Sequence, residues 1–147
     1  MPRRQINWWR VFGILLVIGL IIGGVTWAVV SQVTDHYAMS DPKLYQLRNH
    51  LKDLHPVIHD VSLRGANKSY TINKDRVHLC LYDENDKYYD DNMLTYVLIH
   101  ELAHCISSSI GHTEEFHDNF DMLLKKAENM GLYDSSIPPI DNYCGHK

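Results

Sequence analysis

Residues 11–30 (VFGILLVIGLIIGGVTWAVV) form an uncharged run of 20 residues, and no other feature limits the folding of this chain so strongly. A helix of about 20 residues rises roughly 30 Å, the thickness of a bilayer hydrocarbon core. Trp8, Trp9 and Trp27 lie near its ends, where interfacial aromatics sit in membrane helices. Gly13, Gly19, Gly23 and Gly24 are tolerated in such a helix, and Gly19-x-x-x-Gly23 is a pairing pattern. The rival reading is a cleaved signal peptide. The run exceeds the roughly 7–15 apolar residues of that class, and no A-x-A-like site follows it. We therefore expect a basic head at residues 1–10, a retained anchor at 11–33 and a juxtamembrane link at 34–40. Arg3, Arg4 and Arg10 precede the run and Asp35 and His36 follow it. The positive-inside bias then puts the N-terminus in the cytoplasm and the C-terminal domain on the opposite side of the membrane.

The remaining residues suit one small domain, expected over 41–134, with a tail at 135–147. Three of the chain's 14 cationic residues precede the apolar run. The remaining 11 face 18 acidic residues, a formal −7 beyond the anchor. A domain that grips a nucleic-acid backbone shows a basic patch, so no nucleic-acid partner is expected. Cys80, Cys105 and Cys144 make an odd count without a C-x-x-C, and no disulfide is expected. One pair remains open if the domain is extracytoplasmic. Cys105 reads as a core thiol. Asn67-Lys68-Ser69 matches a glycosylation sequon, but a polar turn is the plainer reading.

The pattern predicts an α+β domain in which a helix precedes about three strands, a motif helix and a C-terminal helix. Asp41-Pro42 starts the first helix, Leu44, Leu47, Leu51 and Leu54 recur at helical spacing, and Pro56 ends it. Strands are expected over 57–63, 69–72 and 77–81, with turns at 64–68 and 73–75. Asp90 or Asp91 caps the motif helix, which runs to about Ser107. The last helix spans 113–130, with Phe116, Phe120, Leu123, Leu124, Ala127 and Met130 on one face and Gly131 beyond its end.

The motif is His100-Glu101-Leu102-Ala103-His104, an H-E-x-x-H sequence. On a helix, positions i and i+4 share a face, so both imidazoles can meet one zinc ion while Glu101 acts as general base. By itself the pentapeptide is also compatible with a buried helix carrying two surface histidines. Its apolar surroundings argue against that, because buried polar groups need partners. A hydrolytic zinc has three protein ligands and an open position. The third ligand is His112, Glu115 or His117. His112 is favoured because it follows Gly111 at a helix start, where its ring can swing back onto the motif helix. The H-E-x-x-H-x7-H spacing differs from the metzincin pattern, since Ser107 stands where that motif has glycine. His117, Tyr89 and Tyr133 are candidate oxyanion donors. His55, His59 and His78 read as surface residues. Cys144 and His146 are candidate occluding ligands, against the plainer reading of a loose tail.

Residues 96–104 (YVLIHELAH) followed by 111–116 (GHTEEF) resemble the WLM and SprT-like group of minimal zinc peptidases. The strand at 74–81 and the entry at 88–92 resemble WLM-type domains, including those carried by large DNA viruses. The likeness covers roughly residues 70–130. It implies a zincin-like fold, Zn2+ on His100, His104 and His112, Glu101 as base, and a protein or peptide substrate. Better-known members act on DNA–protein crosslinks, which the acidic, anchored domain disfavours. A rival of another class is a non-enzymatic membrane or virion structural protein that keeps zinc to hold its fold. The intact Glu101 argues against it, because a structural site has no need of a base.

Overall fold

The computed structural model describes residues 7–38 and 41–145. The chain divides into an N-terminal unit and a second unit that begins at Ala38. The first is one helix, α1 (Trp8–Ala38). Its stretch Trp8–Val30 is long and apolar enough to cross a membrane. Leu15, Ile18, Leu20 and Trp27 on it are exposed. Of the expected link at 34–40, residues 34–38 continue the helix and 39–40 lie outside the described residues. Most of the basic head lies outside the described residues.

In the second unit, Asp41 caps α2 (Pro42–His50) by accepting from the Lys43 amide, and Pro42 supplies a preset first turn. The four leucines expected to line this segment are all buried, although α2 ends at His50 and Leu51 and Leu54 lie in the turns that follow. The strand expected over 57–63 is corrected. Val57–Asp60 is a helical turn, α3, and β1 covers only Ser62–Gly65. Pro56 explains the difference, since its αR backbone starts a turn stapled by the Ile58, His59 and Val61 amides. The apolar content of a short run does not distinguish the two states.

Strands β2 (Tyr70–Ile72) and β3 (Arg76–Leu79) complete a sheet of order β1-β3-β2, with β1 parallel and β2 antiparallel to β3. The β2–β3 connection turns through Asn73 (φ 51°) and Lys74 (φ 62°). Two consecutive positive φ angles are the mark of a tight hairpin whose twist matches that of the strands. Leu63, Val77 and Leu79 face inward and are fully buried. His78 faces outward, as expected, but is half-covered by Tyr70, whose ring stacks on it at 4.4 Å.

Helix α4 (Asp91–Ile106) is the motif helix and packs against the sheet, α3 and α5. Asp90 caps it by accepting from the Asn92 and Met93 amides. Leu94, Leu98, Ile99, Leu102 and Ala103 are fully buried, so the helix is enclosed on most of its circumference. Helix α5 (Glu114–Asn129) starts at the Thr113 cap, and Gly131 (φ 68°) follows its end in the left-handed conformation that glycine accepts.

The expectation of no disulfide is overturned by a bond joining Cys80 to Cys144 across 64 residues. The tail at 135–147 is therefore part of the domain as far as it is described. A short 3-10 turn, Tyr143–Gly145, buries Tyr143 under the Tyr89 ring at 4.7 Å. The Tyr143 hydroxyl bonds the Cys80 carbonyl and Ser69 Oγ, and the Cys144 amide donates to the Tyr89 hydroxyl. Cys144 is thereby excluded as an occluding metal ligand, and His146 lies outside the described residues.

Candidate metal centre

His100 and His104 stand one turn apart on α4, and His112 reaches them from the loop before α5. His112 Nε2 lies 3.1 Å from His100 Nε2 and 3.2 Å from His104 Nε2. Nitrogens held about 2.05 Å from one tetrahedral zinc ion are separated by about 3.3 Å. The donor set therefore fits such an ion. All three ligand atoms lie within 4.8 Å of one another. The surroundings also favour the neutral imidazoles that metals require. Burial, then the neighbouring His104, His112 and His117, lowers His100 to about 4. Burial and His112 lower His104.

Phe116, fully buried, is the platform beneath the cluster. His104 stacks on it at 4.3 Å, and His112 and His100 meet it at 4.7 and 4.9 Å. Phe120 supports His100 from one turn further along α5 at 5.2 Å. Packing of this kind fixes ring orientation.

The other two candidates for third ligand have different places. Glu115 turns back to accept from the Ser108 and Ser109 amides and from Ser109 Oγ. Those bonds hold its carboxyl down at about 2. His117 stands outside the cluster, its ring 6.4 Å from that of His112. The segment 107–113 is tied further by Ser109 Oγ to Thr113 Oγ1 and by Asn119 to the Ser107 hydroxyl. Lys74, at the hairpin tip, donates to the Ser107 and Ser108 carbonyls at the end of α4. Gly111 (φ 85°) makes the bend that brings His112 round.

Glu101 is buried, 5% exposed, on the side of α4 that faces β2. No cation is paired with it among the described residues. Burial raises its carboxyl to about 7, against the opposing pull of a hydrogen bond from Thr71. Thr71 Oγ1 donates to Glu101 Oε2 at 2.7 Å. Cys105, half-buried one turn further along, has its thiol pushed up to about 11 by burial, so it stays protonated at neutral pH.

Sequence reasoning missed Thr71, Glu115's role in the loop, and Lys74. Thr71 had a usable signal: it is the inward position between outward Tyr70 and Ile72 in a strand facing the motif helix. Of the proposed oxyanion donors, Tyr89 has its hydroxyl engaged by the tail, and Tyr133 packs 6.0 Å from the Tyr96 ring. A cavity of about 550 Å3 lies elsewhere, lined by Asn67, Asp83, Glu84, Asp86, Asn142 and Cys144 among others. It contains none of the three clustered histidines, and the convergence of ligand atoms is a sharper pointer to chemistry than its size.

No protein-family model matches this sequence, and no solved structure matches it. Its relatives are viral. Uncharacterized protein 136R of Invertebrate iridescent virus 6 is 40% identical over 91 residues, which cover 60% of this chain and 51% of the relative. Uncharacterized protein 042R of Invertebrate iridescent virus 3 is 41% identical over 95 residues, covering 64% and 59%. Uncharacterized protein R325 of Acanthamoeba polyphaga mimivirus is 31% identical over 109 residues, covering 71% and 54%. The chain thus spans a little over half the length of these relatives.

Proposed function

We propose that this chain is a membrane-anchored zinc peptidase of the WLM and SprT-like kind, with His100, His104 and His112 as metal ligands and Glu101 as general base. The observation that carries the reading is the convergence of three imidazole nitrogens from α4 and the loop before α5, on a helix whose Glu101, next in sequence to His100, is buried without a paired cation among the described residues. A zinc ion bound there supplies Lewis acidity and lowers the pKa of a water molecule to about 7. Glu101 takes a proton from that water and delivers it to the nitrogen of the departing amine.

The apolar helix α1 holds the domain at a membrane, so the substrates are proteins or peptides met there. The acidic composition of the domain speaks against nucleic-acid complexes. The Cys80–Cys144 bond supports a domain on the oxidising side, opposite the arginine-bearing N-terminus. Viral relatives agree with a virion or host membrane as its setting.

The test is Glu101→Gln in the full chain, in detergent micelles. Zinc content is expected to match wild type while hydrolysis of mixed fluorogenic peptides falls by about 100-fold or more, the usual size of a general-base contribution. Equal hydrolysis by the two proteins contradicts the assignment. Retained zinc with no hydrolysis in wild type favours the structural-protein reading instead.

A further inference from the structure

Thr71 is the central residue of β2, an edge strand, and pairs with Val77 of β3. Its hydroxyl crosses to α4 and meets Glu101 twice, at 2.7 Å from Oε2 and 3.3 Å from the backbone carbonyl. A hydroxyl has one proton to give. The shorter contact, to a group that ionises, is the stronger acceptor. The Glu101 carbonyl also serves the helix ladder and gains little from the longer contact.

A glutamate side chain has several rotatable bonds, and its two carboxyl oxygens exchange places by a simple rotation. A base that must take a proton from one point and deliver it to another works best when that rotation is stopped. We propose that Thr71 is the positioning residue for Glu101: by tethering Oε2, its hydroxyl fixes the carboxyl in one orientation and leaves Oε1 to carry the proton. This rests on the peptidase reading above. Sheet and motif helix are thereby joined at the catalytic group itself. The strand is itself braced: Ser69, just before it, accepts from the Cys80 amide and bonds the Tyr143 hydroxyl.

The experiment compares wild type with Thr71→Val, Thr71→Ser and Glu101→Gln as full chains in detergent micelles. Valine keeps the branched shape and removes the hydroxyl, whereas serine keeps the hydroxyl and removes a methyl. With zinc and mixed fluorogenic peptides, Thr71→Val is expected to lose about 10- to 100-fold in kcat, the range that misalignment of a catalytic group produces. Its KM and zinc affinity should stay within about twofold of wild type, and Thr71→Ser should recover most of kcat. A second readout needs no metal. The Glu101 Cδ resonance of the 13C-labelled, metal-free chain, assigned by its loss in Glu101→Gln, should move in Thr71→Val and return in Thr71→Ser. Wild-type kcat in Thr71→Val beside an inactive Glu101→Gln overturns this proposal alone. So does equal loss in the valine and serine variants, or a Cδ resonance that stays in place. A zinc-loaded wild type that hydrolyses nothing overturns the peptidase reading and this proposal together.

Discussion

Glu115 makes its carboxyl a structural part by bonding two successive amides of the segment that presents His112. Its pKa, held at about 2 against an ordinary 4.5, gives the effect a sign. A depressed carboxyl contributes stability that is complete above the ordinary pKa and is lost as pH falls through the folded one. In the metal-free chain, the Ser108 and Ser109 amides should stay protected from solvent exchange down to about pH 3, after correction for intrinsic rates, and lose protection toward pH 2. Glu115→Gln should lose it already at pH 5. Protection that is the same in both proteins across this range contradicts the role. At the residue scale, the convergence of His100, His104 and His112 was legible because spacing puts i and i+4 on one helix face and a glycine beside the returning histidine. Thr71 and Glu115 were less legible, since each acts through a partner whose position only the fold decides. Glu115 even read as a competing ligand, because a carboxylate two residues into a helix suits either task.

Among the elements, the tail departs from expectation in its disulfide. A run with Pro138-Pro139 and no periodicity reads as an ordered wrap or a loose end, and the cysteine count offered no pattern. The fold instead folds the tail back so that Tyr143 fills a buried site and Cys144 meets Cys80. Pairing across 64 residues cannot be seen from local sequence, because it depends on where β3 and the tail end in space. In the chain-entropy account, a loop of this length gives about 4 kcal/mol of stabilisation. Cys144→Ser should therefore lower the unfolding free energy of the full chain by roughly 2–5 kcal/mol, measured by denaturant titration, with zinc binding retained in the folded protein. An unchanged midpoint would show that the bond contributes nothing. The motif helix and α5 were read to within a residue or two, because Asp90, Thr113 and Gly131 carry chemistry specific to helix ends. The segment after Pro56 was misread because four apolar-rich residues fit a helical turn and a strand equally well.

On the scale of the whole molecule, an apolar helix of membrane-spanning length precedes a domain whose site is shaped by burial. One of the two longest helices of that domain holds two imidazoles and one carboxyl in an apolar setting, an arrangement that costs stability and is kept where the groups have a task. The central claim is that this task begins with zinc. Native mass spectrometry of the full chain, released from micelles after zinc titration, tests it most directly when wild type and His112→Ala are run together. The account predicts one zinc per wild-type chain and a loss of at least about 10-fold in zinc affinity in His112→Ala, as expected for removing one of three ligands. A folded wild-type chain that takes up no zinc, or a His112→Ala chain that binds it as tightly, would contradict it.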